Sequence, residues 1–569
     1  MTISSAMAKI ITEKDCVEIQ RGVCLCNQGF QFQILVDKKC RSGQQVRVES
    51  DLTDYIIVYR VYDRKGTYEH PLNKKTDDYY IKSEDDMYPD LLKKFDIVTT
   101  TADEKCVLLI DVSEQEKPVG IHTIKISVGD ETKEFTLEVL GTKLVETDLI
   151  LTNWFHLDGI CNYYKVEPFT SDFYERFVWF LEAYVRMGNN MILVPAFTPP
   201  LDTEVGSERL TTQLVKVSKI GEEYKFDFSE MKKYLELCKS KGIKYFEHSH
   251  LFTQWGGEYC PKIIVEENGI EKNLFGWSVK SDDEKYKNFL KQYFSALNDF
   301  LETENAKENF YLHLTDEPRP QHIEKYKNLS VFVKDISKGM KTMDALSEKE
   351  AAEAVDMPVV AMYSKDLPLF DENKMLYYCV EVETDCITNR YFHMPLQRTE
   401  ILGFQLYENH AKGFLHWGYN FYNTQLSKCS VNPYEDATAG GGFPAGDSFI
   451  LYPGERETEL SVRYFSIKRA FEDYRLLKTL EQKIGKKNVV NLLHKEGVSG
   501  VPDEQIKLAV EAGIRKINFG TDLCYSFLDK VFETDKNKIA IDLFMYDPIQ
   551  AVKNFAVSKI QLLGANDRV

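Results

Sequence analysis

The sequence lacks several features that would place the protein in a membrane or outside the cell. It has no run of about 18 apolar residues, the length that a membrane-spanning helix needs. Its first stretch, MTISSAMAKIITEKD, has no long apolar core of a secretory signal peptide. The cysteines at positions 16, 24, 26 and 40 crowd together without zinc-binding spacing, which favours free thiols over a structural metal. We therefore expect a cytoplasmic protein without membrane insertion.

The sequence also has too little positive charge for a nucleic-acid-binding protein. Its 71 Lys and Arg residues are outnumbered by 89 Asp and Glu, so the net charge is −18, which disfavours phosphate backbones and anionic lipids as partners. What it does have is aromatic residues, namely 34 Phe, 32 Tyr and 5 Trp. A chain of 569 residues with this composition predicts two or three globular domains that bind a small neutral ligand.

Residues 1–145 are predicted to form a β-sandwich domain. Short runs such as QVRVES, YIIVYRVYD and CVLLIDV alternate or are β-branched, and turn signals separate them. The stretch GIHTIKISVGDETKEFTLEVLG predicts a hairpin with a Gly-Asp turn. Because almost no helical periodicity interrupts these strands, a sandwich of two sheets is the expected architecture.

Residues 146–490 are predicted to form a (β/α)8 barrel that carries the catalytic site. Strand-like runs, among them NMILVPA, IKYFEHSH, NFYLHLTDE and MPVVAMY, alternate with amphipathic helices in about eight units. In such barrels the chemistry lies where the strands end. The expected fold class is thus a multidomain β and α/β protein, with an extra C-terminal α/β segment at 491–569.

The stretch FYLHLTDEPRP places two carboxylates, Asp316 and Glu317, side by side at the end of a predicted buried strand. Asp316 alone could be the cap of a helix that starts near Pro318. That interpretation explains Glu317 less well, because a second acid beside a cap gains only a weak dipole interaction. Successive side chains of a regular strand point apart, so both acids can serve one site only if the backbone turns there.

Other polar and aromatic residues fall near strand ends and are candidates for a sugar-binding rim. They are Trp154, His156, Asp158, Asn190, His250, Tyr391, Trp417, Tyr419 and Asp447. Each also has a structural interpretation: a single histidine is more often a satisfied polar group, and Trp417 and Tyr419 could equally belong to the core.

Two adjacent acids do not suit the usual retaining glycosidase, whose carboxyls come from different strands about 5–5.5 Å apart. The difficulty disappears if a 2-acetamido sugar supplies its own nucleophile through the acetamide carbonyl. The protein then needs one acid to protonate the leaving oxygen and one carboxylate to orient and stabilise the acetamido N–H.

Several separated motifs, in order, resemble glycoside hydrolase family 123, whose members are bacterial exo-acting β-N-acetylgalactosaminidases acting on glycosphingolipid glycans. They are LTNWFHLDGICNYYKVEPFTSDFY, HLTDEP, FLHWGYNFYN and GDSFILYPG, and the resemblance covers about residues 10–495. It implies a sandwich followed by a barrel, substrate-assisted retention, Glu317 as general acid/base and Asp316 as acetamido stabiliser. It also implies a substrate with terminal β-linked N-acetylgalactosamine (GalNAc) and neither metal nor cofactor.

Residues 497–568 instead resemble the C-terminal end of class II fructose- or tagatose-bisphosphate aldolases. The resemblance assigns phosphate contacts to Asn518, Gly520, Thr521 and Asp522. The upstream aldolase barrel and its metal-binding motifs are missing, and His494 has no ligand partners in sequence. We interpret this stretch as a tail that cannot build an aldolase site.

Two other functions remain as alternatives. One is a metal-dependent hydrolase that uses His248, His250 and Asp316; the other is a non-catalytic carbohydrate-binding protein. Neither the natural linkage nor the oligomeric state follows from the sequence, and the preference for galacto over gluco sugars comes from the family resemblance alone.

Overall fold

The structure, a computed structural model, describes residues 1–36, 44–67, 80, 81, 86–94, 98, 99, 105–378, 387–494 and 553. The predicted phosphate contacts of the tail (Asn518, Gly520, Thr521 and Asp522) lie outside these residues. No helix within the described ranges is long and apolar enough to cross a membrane.

The N-terminal region is a sandwich of two sheets, as the strand pattern predicted. One sheet has the order β1-β3-β8-β5-β6-β23 and the other β2-β10-β9-β4-β7. Apolar side chains of both sheets meet in one core, where the rings of Phe32 and Phe135 stack 4.2 Å apart. The strands are β1 (Thr2–Ser5), β2 (Arg21–Leu25), β3 (Phe30–Val36), β4 (Gln45–Glu49), β5 (Ile56–Gly66), β6 (Asp86–Lys94), β7 (Val98–Thr99), β8 (Cys106–Val112), β9 (Gly120–Val128), β10 (Glu131–Leu140) and β23 (Leu460–Ser461).

The second region is a barrel of eight parallel strands, which confirms the predicted fold class. Its order is β11-β22-β21-β20-β19-β18-β15-β12. The strands are β11 (Ile150–Asn153), β12 (Met191–Val194), β15 (Tyr245–His248), β18 (Phe310–His313), β19 (Lys341–Leu346), β20 (Met357–Ala361), β21 (Met375–Tyr377) and β22 (Gly413–His416). All eight are almost wholly buried, as parallel strands covered by helices must be.

Helices cover the outside of the barrel and bury one apolar face each. In α2, for example, Phe173, Phe177, Leu181 and Tyr184 follow a helical spacing and are fully buried. The helices are α1 (Leu157–Tyr164), α2 (Ser171–Met187), α3 (Ser229–Lys241), α4 (Glu284–Thr303), α5 (Ile323–Ile336), α6 (Lys349–Ala352), α7 (Leu396–Glu400), α8 (Leu402–Glu408), α9 (Val462–Ile484) and α10 (Lys486–His494).

The barrel has a seam between β11 and β12, which no continuous ladder joins. Asn190, just before β12, bridges the seam: its side-chain Oδ1 accepts from the Leu151 N–H at 2.9 Å and its Nδ2 donates to the Leu149 carbonyl at 2.9 Å. Asn190 therefore lies at the amino end of its strand, away from the catalytic rim, and its amide is already used. We remove it from the candidate sugar-binding residues.

A four-stranded sheet is inserted in two parts, one hairpin after the second barrel strand and one after the third, and the sequence analysis missed it. Its order is β14-β13-β16-β17, with β13 (Lys216–Ile220), β14 (Glu223–Asp227), β16 (Ile263–Glu267) and β17 (Ile270–Phe275). The two hairpins flank α3 and β15 in sequence, so they interrupt the β–α rhythm without changing the order of the barrel strands.

The sandwich and the barrel share buried contacts. The β23 strand, which follows the barrel, pairs with β6 at the edge of the N-terminal sheet. Two residues after β23, Arg463 at the start of α9 forms an ion pair with Asp90 of β6. The distance between Nε and Oδ1 is 2.6 Å, and both side chains are fully buried. The Tyr452 hydroxyl donates to the same carboxylate at 2.6 Å.

Candidate active site

The chain turns sharply at the end of β18, where the two acids lie. Asp316 has a φ of +150° and Glu317 a φ of +46°, and such conformations are costly for residues other than glycine. Backbone hydrogen bonds hold the turn: the Trp255 N–H donates to the Asp316 carbonyl at 2.9 Å, and the Glu317 N–H donates to the Ala345 carbonyl at 2.9 Å. The turn that the sequence analysis required between the acids is present.

Asp316 is almost completely buried, with 6% exposure. Its Oδ2 accepts from the Gln254 side chain at 2.7 Å. Burial and the neighbouring Glu317 raise the pKa of Asp316 well above its usual range, while His313 and the Gln254 hydrogen bond act in the opposite direction. Asp316 does not cap a helix, because α5 begins only at Ile323.

Glu317 is partly exposed and is oriented by a tyrosine. The Tyr377 hydroxyl, at the end of β21, donates to Glu317 Oε1 at 2.8 Å. The two acids thus have different surroundings: Asp316 lies inside the barrel, and Glu317 lies at its mouth.

A buried charged triad lies beneath the acids. His313 Nδ1 is 2.7 Å from Glu247 Oε1, its Nε2 is 3.1 Å from Asp344 Oδ1, and all three side chains have no exposure. Burial alone would lower the pKa of His313, but hydrogen bonds and charge attraction from both carboxylates raise it to about 10. His313 is therefore an imidazolium at neutral pH.

The triad also fixes the turn above it. The Oδ2 atom of Asp344 accepts from both the backbone N–H and the hydroxyl of Thr315, at 2.8 and 2.9 Å. Trp154 Nε1 donates to Glu247 Oε1 at 2.9 Å, so this predicted site residue belongs to the floor of the site.

His250 is a predicted site residue that the structure places beside Asp316. Its ring lies 3.9 Å from that of His313, and the edge of Trp154 packs against it at 4.9 Å. Although His250 is fully buried, neither ring nitrogen has a hydrogen-bond partner in the described protein. Buried polar atoms rarely remain unpaired, so the two ring nitrogens of His250 are suited to bind a ligand.

His156 and Asp158 form a second cluster, around a residue that the sequence analysis missed. Asp158 and Arg209 make a two-point ion pair, with distances of 2.9 Å from Nε to Oδ2 and 2.6 Å from Nη2 to Oδ1. Burial and Arg209 lower the pKa of His156 to about 4, so its imidazole is neutral. His156 Nε2 also lies 2.9 Å from the Trp417 carbonyl. Through this contact His156 stabilises the segment that carries Trp417.

Trp417 and Asp447 come together, as candidate residues of one pocket should. The indole Nε1 donates to Asp447 Oδ2 at 2.8 Å, and the ring of Trp417 is only partly buried. Asp447 is fully buried, and its Oδ1 has no hydrogen-bond partner in the described protein, with His416 Nε2 at 3.5 Å. Burial would raise the pKa of Asp447, but His416, Arg390 and Trp417 together lower it, so it is ionised.

The two remaining candidates, Tyr391 and Tyr419, are fully buried. The Tyr419 hydroxyl donates to the Phe180 carbonyl of α2 at 2.8 Å, which places this ring between the barrel and its outer helices and away from the site. The Tyr391 ring lies 5.5 Å from that of His393, and its carbonyl accepts from Lys9 of the N-terminal region at 3.2 Å.

A metal does not suit the cluster of His250, His313 and Asp316, although their ligand atoms all lie within 4.8 Å of one another. Both nitrogens of His313 are engaged with carboxylates, and an imidazolium has no lone pair for a metal. His248, the other histidine of the metal-dependent alternative, turns away and bonds the Tyr293 hydroxyl at 2.7 Å.

Comparison with known families identifies the fold and its class of chemistry. A model of the glycoside hydrolase 123 catalytic domain matches residues 154–480, more than half of the chain. The chain belongs to glycoside hydrolase family 123. A model of class II fructose-bisphosphate aldolase matches residues 466–568, so the two matches overlap within α9 and the predicted resemblance of the tail is confirmed. No curated protein sequence matches the chain significantly.

One solved structure with a similar fold agrees with this assignment. This family 123 glycoside hydrolase is similar to a family 123 enzyme from Clostridium perfringens studied for glycolipid glycan hydrolysis, with a TM-score of 0.66, 14% identity and 99% of each chain covered. A family 5 mannosidase from Rhizomucor miehei is much less similar, with a TM-score of 0.33, 12% identity and coverage of 60% of this chain and 94% of its own.

Several residues of this site escaped the sequence analysis. They are Arg209, Glu247, Gln254, His313, Asp344 and Tyr377. For three of them a signal existed, since Glu247, His313 and Asp344 are ionisable residues inside short strands that are buried in the barrel. Buried charges are rarely retained without partners, so three such residues on neighbouring strands could have been paired in advance.

Proposed function

We propose that this family 123 glycoside hydrolase is an exo-β-N-acetylgalactosaminidase that removes terminal β-linked GalNAc from glycans such as glycosphingolipid oligosaccharides. The observation that carries the proposal is the turn at Asp316 and Glu317, which gives two adjacent acids different surroundings. A mechanism in which the substrate's acetamide is the nucleophile requires such a division of work between two carboxyls.

Glu317 is the general acid and base of this mechanism. Its partial exposure at the mouth suits contact with a leaving group that points to solvent. The Tyr377 hydroxyl donates to Oε1 and so orients the carboxyl group that transfers the proton. Proton transfer of this kind typically contributes 10²–10⁴-fold to the rate.

Asp316 is the partner of the acetamido N–H. Gln254 donates to its Oδ2, and a substrate N–H can add a second hydrogen bond to the same carboxylate. The raised pKa of Asp316 and the repulsion by Glu317 favour one shared proton in the free pair. A bound N–H would shift that proton to Glu317, where the reaction needs it.

The reaction then proceeds in two steps. The acetamide carbonyl oxygen attacks the anomeric carbon, the glycosidic C–O bond breaks, and Glu317 gives its proton to the leaving oxygen. Positive charge develops on the acetamido group, and ionised Asp316 stabilises it. Water then attacks the anomeric carbon from the original side and gives its proton to Glu317, and the oxazolinium ring opens with overall retention.

Buried polar atoms around the acids are suited to the sugar hydroxyls. His250 offers both ring nitrogens and Asp447 offers Oδ1, none of which has a partner in the described protein. The partly buried face of Trp417 can carry the apolar side of the ring. The choice of galacto over gluco sugars, and of a terminal residue, comes from the family resemblance.

The test uses aryl and natural β-GalNAc substrates with proton NMR. We expect the β-anomer as the first product, tight inhibition by the thiazoline of the same sugar, and essentially no turnover of β-galactosides that lack the acetamide. An α-anomer as first product, or rapid cleavage of a plain β-galactoside, would refute the proposal. Chelator-sensitive activity would instead support the metal-dependent alternative.

A further inference from the structure

Exposed aromatic side chains are concentrated around the acid pair. Among the residues that the structure describes, Trp255 and Tyr363 are the aromatic side chains that are exposed, at 37% and 38%. The chain has 34 Phe, 32 Tyr and 5 Trp, so aromatic residues had many places on the surface to occur. Single exposed apolar residues need no explanation, but both of these follow the carboxyl ends of barrel strands, as the acids do.

Trp255 contacts the backbone of the first acid. It follows β15, and its N–H donates to the Asp316 carbonyl at 2.9 Å. Its φ is +58°, and Gly256 and Gly257 follow with φ of +127° and +62°, so the backbone at Trp255 has a costly conformation. The guanidinium of Arg319, an exposed residue, lies 5.8 Å from the ring centre.

Tyr363 is linked to the second acid, Glu317, through Tyr377. It follows β20 and packs edge-on against Tyr377, with 6.3 Å between ring centres. Tyr377 in turn donates to Glu317. In the barrel order β20-β19-β18-β15, the two exposed rings lie on opposite sides of β18, the strand that carries the acids.

The general acid fixes where the rest of the substrate must lie. Glu317 has to contact the oxygen that leaves, so the leaving group extends from the mouth past Glu317. Flat aromatic faces attract the C–H faces of sugar rings, and a guanidinium offers several donors for hydroxyls. Exposed aromatic side chains at this position are therefore suited to contact a second sugar ring, that of the leaving group.

We infer that Trp255 and Tyr363, with Arg319, form a subsite for a neutral hexose ring of the leaving group. This inference rests on the proposed function and makes it more specific: the preferred substrate is an oligosaccharide, and the second sugar contributes to its recognition. Trp255 and Tyr363 determine specificity and take no part in bond breaking.

The test compares two substrates that share the GalNAc residue. One is a disaccharide of β-GalNAc linked to a hexose, and the other is the methyl β-glycoside of the same sugar, whose leaving oxygen also needs a proton from Glu317 but carries no ring. We expect Trp255→Ala to lower kcat/KM for the disaccharide about tenfold and for the methyl glycoside less than twofold, and Tyr363→Ala to do the same more weakly. Trp255→Phe should retain most of the disaccharide activity. Trp179→Ala, which changes a partly buried tryptophan of the outer helix α2, is the matched control.

The outcomes separate this inference from the proposed function. A wild-type protein that cleaves neither substrate refutes the proposed function and, with it, the subsite. If the wild type cleaves both, equal losses on the methyl glycoside and the disaccharide in Trp255→Ala overturn the subsite alone. A loss confined to ceramide-bearing glycolipids, with the free oligosaccharide unaffected, would also overturn it, since the rings would then contact lipid.

Discussion

At the residue scale, the two acids should respond differently to the leaving group. Glu317→Gln removes the proton donor, so we expect slow cleavage of substrates with poor leaving groups, by about 10²-fold or more, and a much smaller loss with activated aryl ones. Asp316→Asn removes the charge that stabilises the acetamido group, so both classes should suffer alike. The measurement is kcat/KM across a series of leaving groups. Parallel losses for the two variants would contradict these roles.

His313 should control the protonation of Asp316. Its imidazolium opposes the burial, the Glu317 charge and the Asp344 charge that raise the pKa of Asp316. His313→Gln removes this cation, so the pKa of Asp316 should rise further, and the acid limb of kcat/KM should move about one unit to higher pH. An opposite shift, or none, would mean that the triad does not act through Asp316.

The control for His313 is another buried histidine of the neighbouring strand. His248 bonds Tyr293 on the outer side of the barrel, and burial lowers its pKa to about 4, so it is neutral. We expect His248→Gln to lower stability without moving the acid limb. A common shift in both variants would indicate a general structural effect.

The sequence located the acids but not their supporting residues, for a physical reason. Asp316 and Glu317 stand out because adjacent carboxylates at a strand end have no common structural role. Arg209 and Gln254 lie in loops whose path depends on tertiary contacts, so nothing in the local pattern links them to Asp158 or Asp316. Tyr419 was misjudged because a strand-end position does not tell which way a side chain points.

At the element scale, the Asn190 side chain supplies two of the hydrogen bonds that cross the seam between β11 and β12. Asn190→Ala removes two hydrogen bonds and leaves the Leu151 N–H unpaired, which should cost about 1–3 kcal/mol of stability. Because Asn190 lies away from the acids, we expect KM to stay near the wild-type value. Thermal unfolding and steady-state kinetics measure the two effects.

The matched control is Asn409→Ala, which removes a side-chain hydrogen bond to the Gln405 carbonyl at the end of α8. This amide joins neighbouring turns of one helix, so its loss should be smaller. A large rise in KM for Asn190→Ala, with unchanged stability, would restore the original interpretation of Asn190 as a sugar ligand.

Sequence periodicity predicted the barrel strands but not the inserted hairpins. The barrel strands were found because buried parallel strands form short apolar runs between amphipathic helices. The hairpins β13–β14 and β16–β17 were overlooked because their strands are short and rich in charged residues, such as EYKFD and IEKNLF, although EYKFD alternates polar and apolar residues. Their position against the barrel is decided by tertiary packing, which a local pattern does not record.

At the scale of the whole molecule, one buried ion pair joins the two regions. Arg463→Met would leave Asp90 buried and without its main partner, so we expect a loss of about 3–5 kcal/mol in unfolding free energy. Lys478→Met, on the same helix, removes a partly exposed pair with Glu481 and should cost less than about 1 kcal/mol. Urea unfolding of both variants tests the comparison, and equal losses would argue against a structural joint at Asp90.

The tail should be dispensable for catalysis. Every proposed site residue lies before position 450, and the described helices end with α10 at His494. We expect a chain that stops near 495, if it folds, to retain much of its specific activity on a β-GalNAc substrate. A soluble, folded truncation without activity would show that the tail contributes to the site. Aldolase activity in the full chain would contradict our interpretation of the tail.

The pairing of β23 with β6 has a consequence for synthesis on the ribosome. Some 365 residues separate Lys94 at the end of β6 from Leu460 at the start of β23. At about 5–20 residues per second, the N-terminal sheet waits roughly 20–70 s for its last strand. During that interval the outer edge of β6 has no partner from β23, and an unpaired edge can recruit another nascent chain. Slower translation of the barrel would lengthen this exposure, so yield should depend on elongation rate and on chaperones that cover strand edges.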